Sequence, residues 1–201
     1  MALKLLKKNY PGAHCALHFE TAFQLLVATI LSAQCTDERV NKVTPELFAH
    51  YPDAKAMARG KVEDIEDLIR STGFFKNKAK NLLACAQTLV ERHRGEVPQD
   101  MESLVLLAGV GRKTANVVLG NAFQISSGVV VDTHVTRLSN RFHWVKTENA
   151  VQIERELNAL IPKSEWILVS HLLISHGRAI CKARSPQCSA CFLADRCPSR
   201  L

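Results

Sequence analysis

Several features are missing from this chain, and each absence narrows what it can be. No run of apolar residues is long enough to span a bilayer. The opening residues, Met-Ala-Leu-Lys-Leu-Leu-Lys-Lys-Asn-Tyr, alternate lysine with leucine and hold no signal-peptide h-region. A protein of the cytoplasm, with no membrane partner, is expected. There is no internal repeat and no low-complexity segment. Strand signals are nearly absent too: Ile125-Ser126-Ser127-Gly128-Val129-Val130-Val131 is the one β-like run, too short and isolated for a sheet. Acidic residues are in deficit, 19 Asp+Glu against 26 Lys+Arg, leaving a formal charge of +7. That excess favours a polyanionic partner, nucleic acid before membrane. Apolar residues make up 47% of the 201 positions, enough to bury one large core or two small ones.

What is present is helical. Residues 2–9 form a short amphipathic helix, broken by Pro11-Gly12. Residues 20–33 are apolar almost all round, as in a buried central helix. Thr36-Asp37 caps a helix running to about His50. Residues 61–70 place Val62, Ile65, Leu68 and Ile69 on one face. Residues 75–92 do the same with Phe75, Ala79, Leu82, Leu83, Ala86, Leu89 and Val90. After Asp132-Thr133-His134 comes a helix with Val135, Leu138 and Phe142 inward. Thr147 is expected to cap residues 148–160, with Val151, Leu157 and Leu160 inward. Pro162 and Ser164 open a helix over 165–180, with Trp166, Val169, Leu173 and Ile180 inward. The fold class is all-α.

The centre of the chain is Leu104-Val-Leu-Leu-Ala-Gly-Val-Gly-Arg-Lys-Thr-Ala-Asn116. An apolar helical stretch ends at Ala108, Gly109-Val110-Gly111 turns, and a second helix starts near Arg112. The glycines supply positive φ or a backbone that a partner can approach. The new helix offers unpaired N–H groups and a positive dipole end, a site for a phosphate. Lys113 sits in that first turn, where a cation is disfavoured. It therefore serves either as an anion contact, the preferred reading on residues alone, or as a reactive amine.

Cysteine is also uneven. Cys15, Cys35 and Cys85 are scattered, whereas Cys181, Cys188, Cys191 and Cys197 form a Cys-x₆-Cys-x₂-Cys-x₅-Cys loop. In a reducing compartment such a cluster is a metal site, zinc or iron–sulfur. Lys182 and Arg184, between the first two cysteines, are placed to touch a phosphate backbone. Asp132 precedes a helix and is expected as its N-cap.

Together these motifs resemble bacterial endonuclease III, of the helix-hairpin-helix superfamily of DNA glycosylases. The resemblance rests on Leu-x-Gly-Val-Gly-Arg-Lys-Thr-Ala-Asn, Val131-Asp132-Thr133-His134 and the four-cysteine loop. Leu31-Ser32-Ala33-Gln34-x-Thr36-Asp37, Gly73-Phe74-Phe75 with Lys78-Ala79, and His176-Gly177-Arg178 extend it from about residue 19 to 197. It implies two helical domains with a DNA-binding cleft between them. One is a six-helix barrel over 17–127 containing the helix-hairpin-helix (104–122). The other, residues 1–16 with 128–201, carries a 4Fe–4S cluster on Cys181, Cys188, Cys191 and Cys197. The implied partner is duplex DNA bearing oxidised or saturated pyrimidines or abasic sites, bound by a monomer at the nucleoid.

The resemblance also implies roles. Lys113 attacks C1′ of a flipped nucleotide, helped toward the neutral amine by the helix N-terminus and by partial burial. Asp132 is the second catalytic residue, stabilising positive charge on the sugar. Gly109, Val110, Gly111 and Arg112 hold a phosphate, and Lys182 and Arg184 another stretch of backbone. Gln34 and Phe74 enter the duplex where the base has left, and His134 supports the pocket. Two residues depart from the family: Ala108 stands at its usual hairpin proline, and Phe74 at its usual leucine. Two rivals are an adenine-mismatch glycosylase, disfavoured by Lys113 and Thr133-His134, and a non-catalytic DNA-binding or redox-sensing protein, disfavoured by Lys113 with Asp132.

Overall fold

The computed structural model describes residues 2–201; Met1, part of the smaller-domain assignment above, lies outside the described residues. Eleven α-helices are found among them and no strand. The chain divides into two compact units, Ala16–Ile125 and the chain up to Cys15 together with Ser126–Leu201.

The continuous unit is built on α2 (Ala22–Leu31), which Thr21 caps by accepting the Gln24 N–H. Eight of its ten residues are buried, as expected for an apolar sequence with no polar face. Around it pack α3 (Asp37–His50), α6 (Phe75–His93) and α8 (Arg112–Phe123). α4 (Ala54–Ala58) and α5 (Val62–Ile69) close on α6, and α7 (Met101–Val105) on α8. Thr36 caps α3 as expected. Two local expectations need correction. α4 had no periodicity to announce it, being five residues held by an Asp53 cap. The helix before the hairpin ends at Val105, not Ala108: Leu107 and Val110 N–H groups turn back to Leu104 and Leu107 carbonyls, which buries Leu107 and Val110 and exposes Leu106.

The second unit joins both ends of the chain. Leu6 of α1 (Ala2–Asn9) is fully buried with Val135 and Leu138 of α9 (Thr133–Arg141), Leu157 of α10 (Ala150–Leu160), and Val169 and Leu173 of α11 (Trp166–Ala179). The valine run before Asp132 is extended but pairs with no strand; Val129 is buried and donates its N–H to Asn158 Oδ1. Asn149, not Thr147, caps α10, accepting from the Val151 and Gln152 N–H groups. Thr147 instead accepts the Asn149 N–H. Ile153 and Leu157 face inward, Leu157 as expected, while Val151 (65% exposed) and Leu160 (56%) face solvent. Trp166 and Ile180 are only half-buried.

Candidate functional site

The hairpin turn owes its shape to two glycines that do different jobs. Gly109 has φ +76°, and a Cβ there would lie 3.1 Å from the Asn81 Cβ on α6. Gly111 has φ −95° and nothing within 4 Å of an added Cβ, so its own fold does not require glycine. Val110 is buried and its N–H donates to Leu107 O, which anchors the turn. Among the described residues the N–H groups of Gly109 and Gly111 make no hydrogen bond, and Gly111 is the N-cap of α8 without a capping side chain. The turn therefore presents donors at a helix N-terminus, the arrangement that takes an anion. Gly109→Ala should destabilise the protein by about 1–2 kcal/mol through strain and the Asn81 contact. Gly111→Ala should cost at most about 1 kcal/mol, as a poorer N-cap. Only the second should lose far more DNA affinity than stability, by thermal melts compared with binding titrations.

Arg112 and Lys113 occupy the first two positions of α8, both exposed. The partial burial expected of Lys113 is absent, because its side chain leaves the helix on the side away from Ala115, Val118 and Leu119, all buried.

Gln34 and Phe74 stand in the left-handed region, at φ 53° and 49°. Such backbone is rare for non-glycine residues and is costly unless neighbours enforce it. Both side chains are exposed, Phe74 at 65%, so Phe74 is no core residue. Behind both turns lies a contact the sequence did not reveal. Lys78, buried at 5% exposure, donates from Nζ to Leu31 O and to Thr72 O, each at 2.8 Å. One ammonium thereby ties the end of α2, ahead of Gln34, to the 3₁₀ turn Arg70–Thr72, ahead of Phe74.

In the other unit Asp132 is half-buried and caps α9, its Oδ1 accepting the Val135 N–H at 2.8 Å. His134 follows on the first turn, and Arg137 donates to its Nδ1 at 3.1 Å. Arg137 also donates from Nε and Nη2 to Cys181 O, at 3.2 and 3.0 Å, and from Nη2 to Gly177 O. A Cβ on Gly177 would lie 2.7 Å from His134 Nδ1, so only glycine lets α11 come this close to α9. At the far end of α9, Arg141 donates to Cys181 Sγ at 3.2 Å and to the carbonyls of Lys182 and Ala183. These bonds fix the backbone of the 182–184 segment while leaving the Lys182 and Arg184 side chains exposed.

Among the described residues no three His, Cys, Asp or Glu side chains converge closely enough for a single metal ion. Cys181, Cys188, Cys191 and Cys197 instead line one cavity of about 270 Å³, with Arg141, His176 and Ile180. Donors point at the sulfurs: besides Arg141, the Leu193 N–H is 3.4 Å from Cys191 Sγ and His176 Nε2 is 3.6 Å from it. Burial, then the three neighbouring cysteines, hold the Cys191 thiol above its usual value, against the Leu193 N–H that pulls it down. His176 is fully buried, and desolvation pushes it down to about 4. Its Nδ1 lies 3.0 Å from the Tyr10 hydroxyl; in the tautomer where Nδ1 accepts that O–H, Nε2 carries the proton and faces Cys191 Sγ. Phe142 and Phe192 pack against the same ring. Four sulfurs spread around a cavity, two of them met by nitrogen groups, suit thiolates on a multi-atom cluster.

Comparison with known proteins agrees. The HhH-GPD superfamily base excision DNA repair protein family matches residues 27–163, and the iron–sulfur binding domain of endonuclease III matches 181–197. Endonuclease III of Synechocystis sp. is 59% identical over 197 residues, 98% of this chain and 90% of the relative. That of Escherichia coli is 40% identical over 195 residues, 97% of this chain and 92% of its own. A solved endonuclease III trapped as a covalent intermediate with DNA superposes with TM-score 0.93 at 43% identity, covering 98% of this chain and 92% of that one. The chain therefore belongs to the endonuclease III family within the HhH-GPD superfamily, and it is a base excision repair DNA glycosylase and abasic-site lyase that carries a 4Fe–4S cluster.

Proposed function

We propose that this enzyme removes oxidised or saturated pyrimidines from duplex DNA through Lys113 and cleaves the abasic product, acting as a monomer at the nucleoid. The observation that carries the reading is the exposed amine of Lys113 on the first turn of α8, directly after a turn whose Gly109 and Gly111 N–H groups are unspent. A cation gains nothing from that end of a helix, so its place there answers to a substrate.

In this reading the unit of Ala16–Ile125 is the barrel domain with the hairpin, and the other unit is the cluster domain. A base within a duplex shields its sugar carbon, so the nucleotide must flip out, at a cost of a few kcal/mol that is least for damaged bases. Gln34 and Phe74 fill and wedge the gap, as apolar wedges do when they unstack a step. Gly109 and Gly111 hold a phosphate through N–H groups beside Arg112, and Lys182 and Arg184 hold backbone at the cysteine loop. Lys113 Nζ forms a bond to C1′ as the C1′–N glycosidic bond breaks, and the base leaves with a proton. The C1′–O4′ bond then opens, O4′ taking a proton while Nζ gives up one, and the ring-opened iminium at C1′ acidifies C2′–H. Loss of that proton expels the 3′ phosphate by β-elimination, and hydrolysis then frees the lysine. Since Lys113 is exposed, it is the docked duplex that dries the amine. Asp132 spends one oxygen on the Val135 N–H. Its other oxygen serves the positive charge developing on the sugar and the proton transfers at the lysine. His134, fixed by Arg137, supports the pocket. Cys181, Cys188, Cys191 and Cys197 hold the 4Fe–4S cluster, which when bound cross-links the loop that carries Lys182 and Arg184.

The test is a panel of duplexes bearing single oxidised or saturated pyrimidines, scored for base release and strand cleavage. Release from at least one, with β-elimination products, is expected; no release from any would overturn the substrate class. On the responsive lesion, Asp132→Asn should slow base release by about a hundred-fold. Its stability should stay within about 0.5 kcal/mol, because asparagine caps a helix as well as aspartate does. Asp132→Ala should lose about 1 kcal/mol of stability in addition, separating the cap from the charge.

A further inference from the structure

We propose that Lys78 is a positioning residue for duplex opening: its buried ammonium fixes the spacing between the two turns that present Gln34 and Phe74. The inference rests on the wedge roles given to those two side chains above. Lys78 meets neither solvent nor a carboxylate; its charge is accepted by carbonyls at two helix C-termini, the last residue of α2 and the last of the 3₁₀ turn. The negative ends of those dipoles favour a cation there. Burial pushes the group below the usual lysine value, while Cys35 nearby works the other way.

What the ammonium achieves is metric. Both oxygens lie 2.8 Å from one nitrogen, so Leu31 O and Thr72 O are no farther apart than two hydrogen bonds laid end to end. Leu31 is three residues before Gln34, and Thr72 two before Phe74. Both presented residues hold left-handed backbone, which persists only when the surroundings leave no alternative. An apolar side chain of the same length would fill the space but leave two buried carbonyls without a donor. The turns would then be free to separate, without either wedge side chain being altered.

The test uses the full-length holoprotein and two substrates, an abasic duplex with 2-aminopurine opposite the abasic site and the same abasic strand alone. Wedge insertion unstacks the 2-aminopurine and raises its fluorescence; the single strand needs no wedge. For Lys78→Met, the ratio of borohydride-trapping rates, duplex over single strand, should fall about ten-fold, and the fluorescence rise at saturating protein should be lost. Lys78→Gln, which keeps one amide donor group, should fall between this variant and the parent, and it carries the test should Lys78→Met fail to fold. A parental ratio with a normal fluorescence rise overturns the inference. So does an equal loss on both substrates, the mark of a residue that is merely structural. Phe74→Ala separates the two readings. If it does not lower the ratio, the wedge role fails. If it does while both Lys78 variants do not, only the role of Lys78 fails.

Discussion

Lys113→Ala should give a protein that is slightly more stable and has lost its lyase reaction. The stability gain follows from position. A lysine on the first turn of α8 opposes the helix dipole by about 0.3–1 kcal/mol, and alanine is the better helix former. The side chain is exposed and packs against nothing that an alanine would leave empty. The chemical loss follows from the covalent route. Without an amine at C1′ there is no iminium, C2′–H is not acidified, and the 3′ phosphate has no low-barrier exit. Strand cleavage at an abasic site should drop by at least about a thousand-fold, with no borohydride-trapped adduct. Thermal melts and trapping gels on one preparation check both halves. An adduct that survives the substitution would move the nucleophile elsewhere. A stability loss above about 1 kcal/mol would show that Lys113 helps hold the fold.

Cys181→Ser should have the largest structural effect. Cys181 is the buried member of the four, and its neighbours depend on its place: Arg137 donates twice to its carbonyl, and Arg141 donates to its sulfur. The loop it opens has only two 3₁₀ turns of three residues, Cys188–Ala190 and Ala194–Arg196, so little backbone structure holds it without metal. Losing iron–thiolate cross-links from such a loop should cost about 5 kcal/mol or more, in the range by which structural metals stabilise small folds. The broad visible absorbance of thiolate-to-iron charge transfer should vanish, and the 181–197 segment should become protease-sensitive. DNA affinity should fall with it, since Lys182 and Arg184 ride on that loop. Iron removal by a chelator should reproduce all three effects in the unmutated chain. A colourless, zinc-bearing protein would refute the cluster.

How much of this was legible beforehand varied with the range of the interactions. Helices with an apolar stripe or a side-chain cap declared themselves, as α3 with Thr36, α6 with its long stripe and α9 with Asp132 did. The place of Lys113 on a first helical turn was legible as well, because one turn of helix suffices to make a cation there anomalous. α4 was hidden because five residues are too few to show a period. The outward Val151 and Leu160 of α10 were misplaced because a singly exposed apolar residue reads like a core one in sequence. Lys78 was read only as part of a motif. Its carbonyl partners are 47 and 6 residues away, and no local pattern tells a buried lysine from a solvated one. His176 was equally mute: its partners, Tyr10 and Cys191, lie on segments 166 and 15 residues away.

The discontinuous unit has a consequence for the order in which the chain assembles. Leu6 and Tyr10 are made well before the residues beyond Ser126 that bury them, and the cysteine loop follows those again. Ala16–Ile125 is contiguous and can fold on the ribosome as it appears. The N-terminal helix must wait, with its apolar side uncovered, through the making of more than a hundred residues. The cysteines that hold iron are made after the rest of that unit, beside a histidine whose hydrogen-bond partner was made 166 residues earlier. Cluster insertion thus follows the making of the contiguous unit, and a cell short of iron would accumulate chains in which Ala16–Ile125 is folded and the other unit is not.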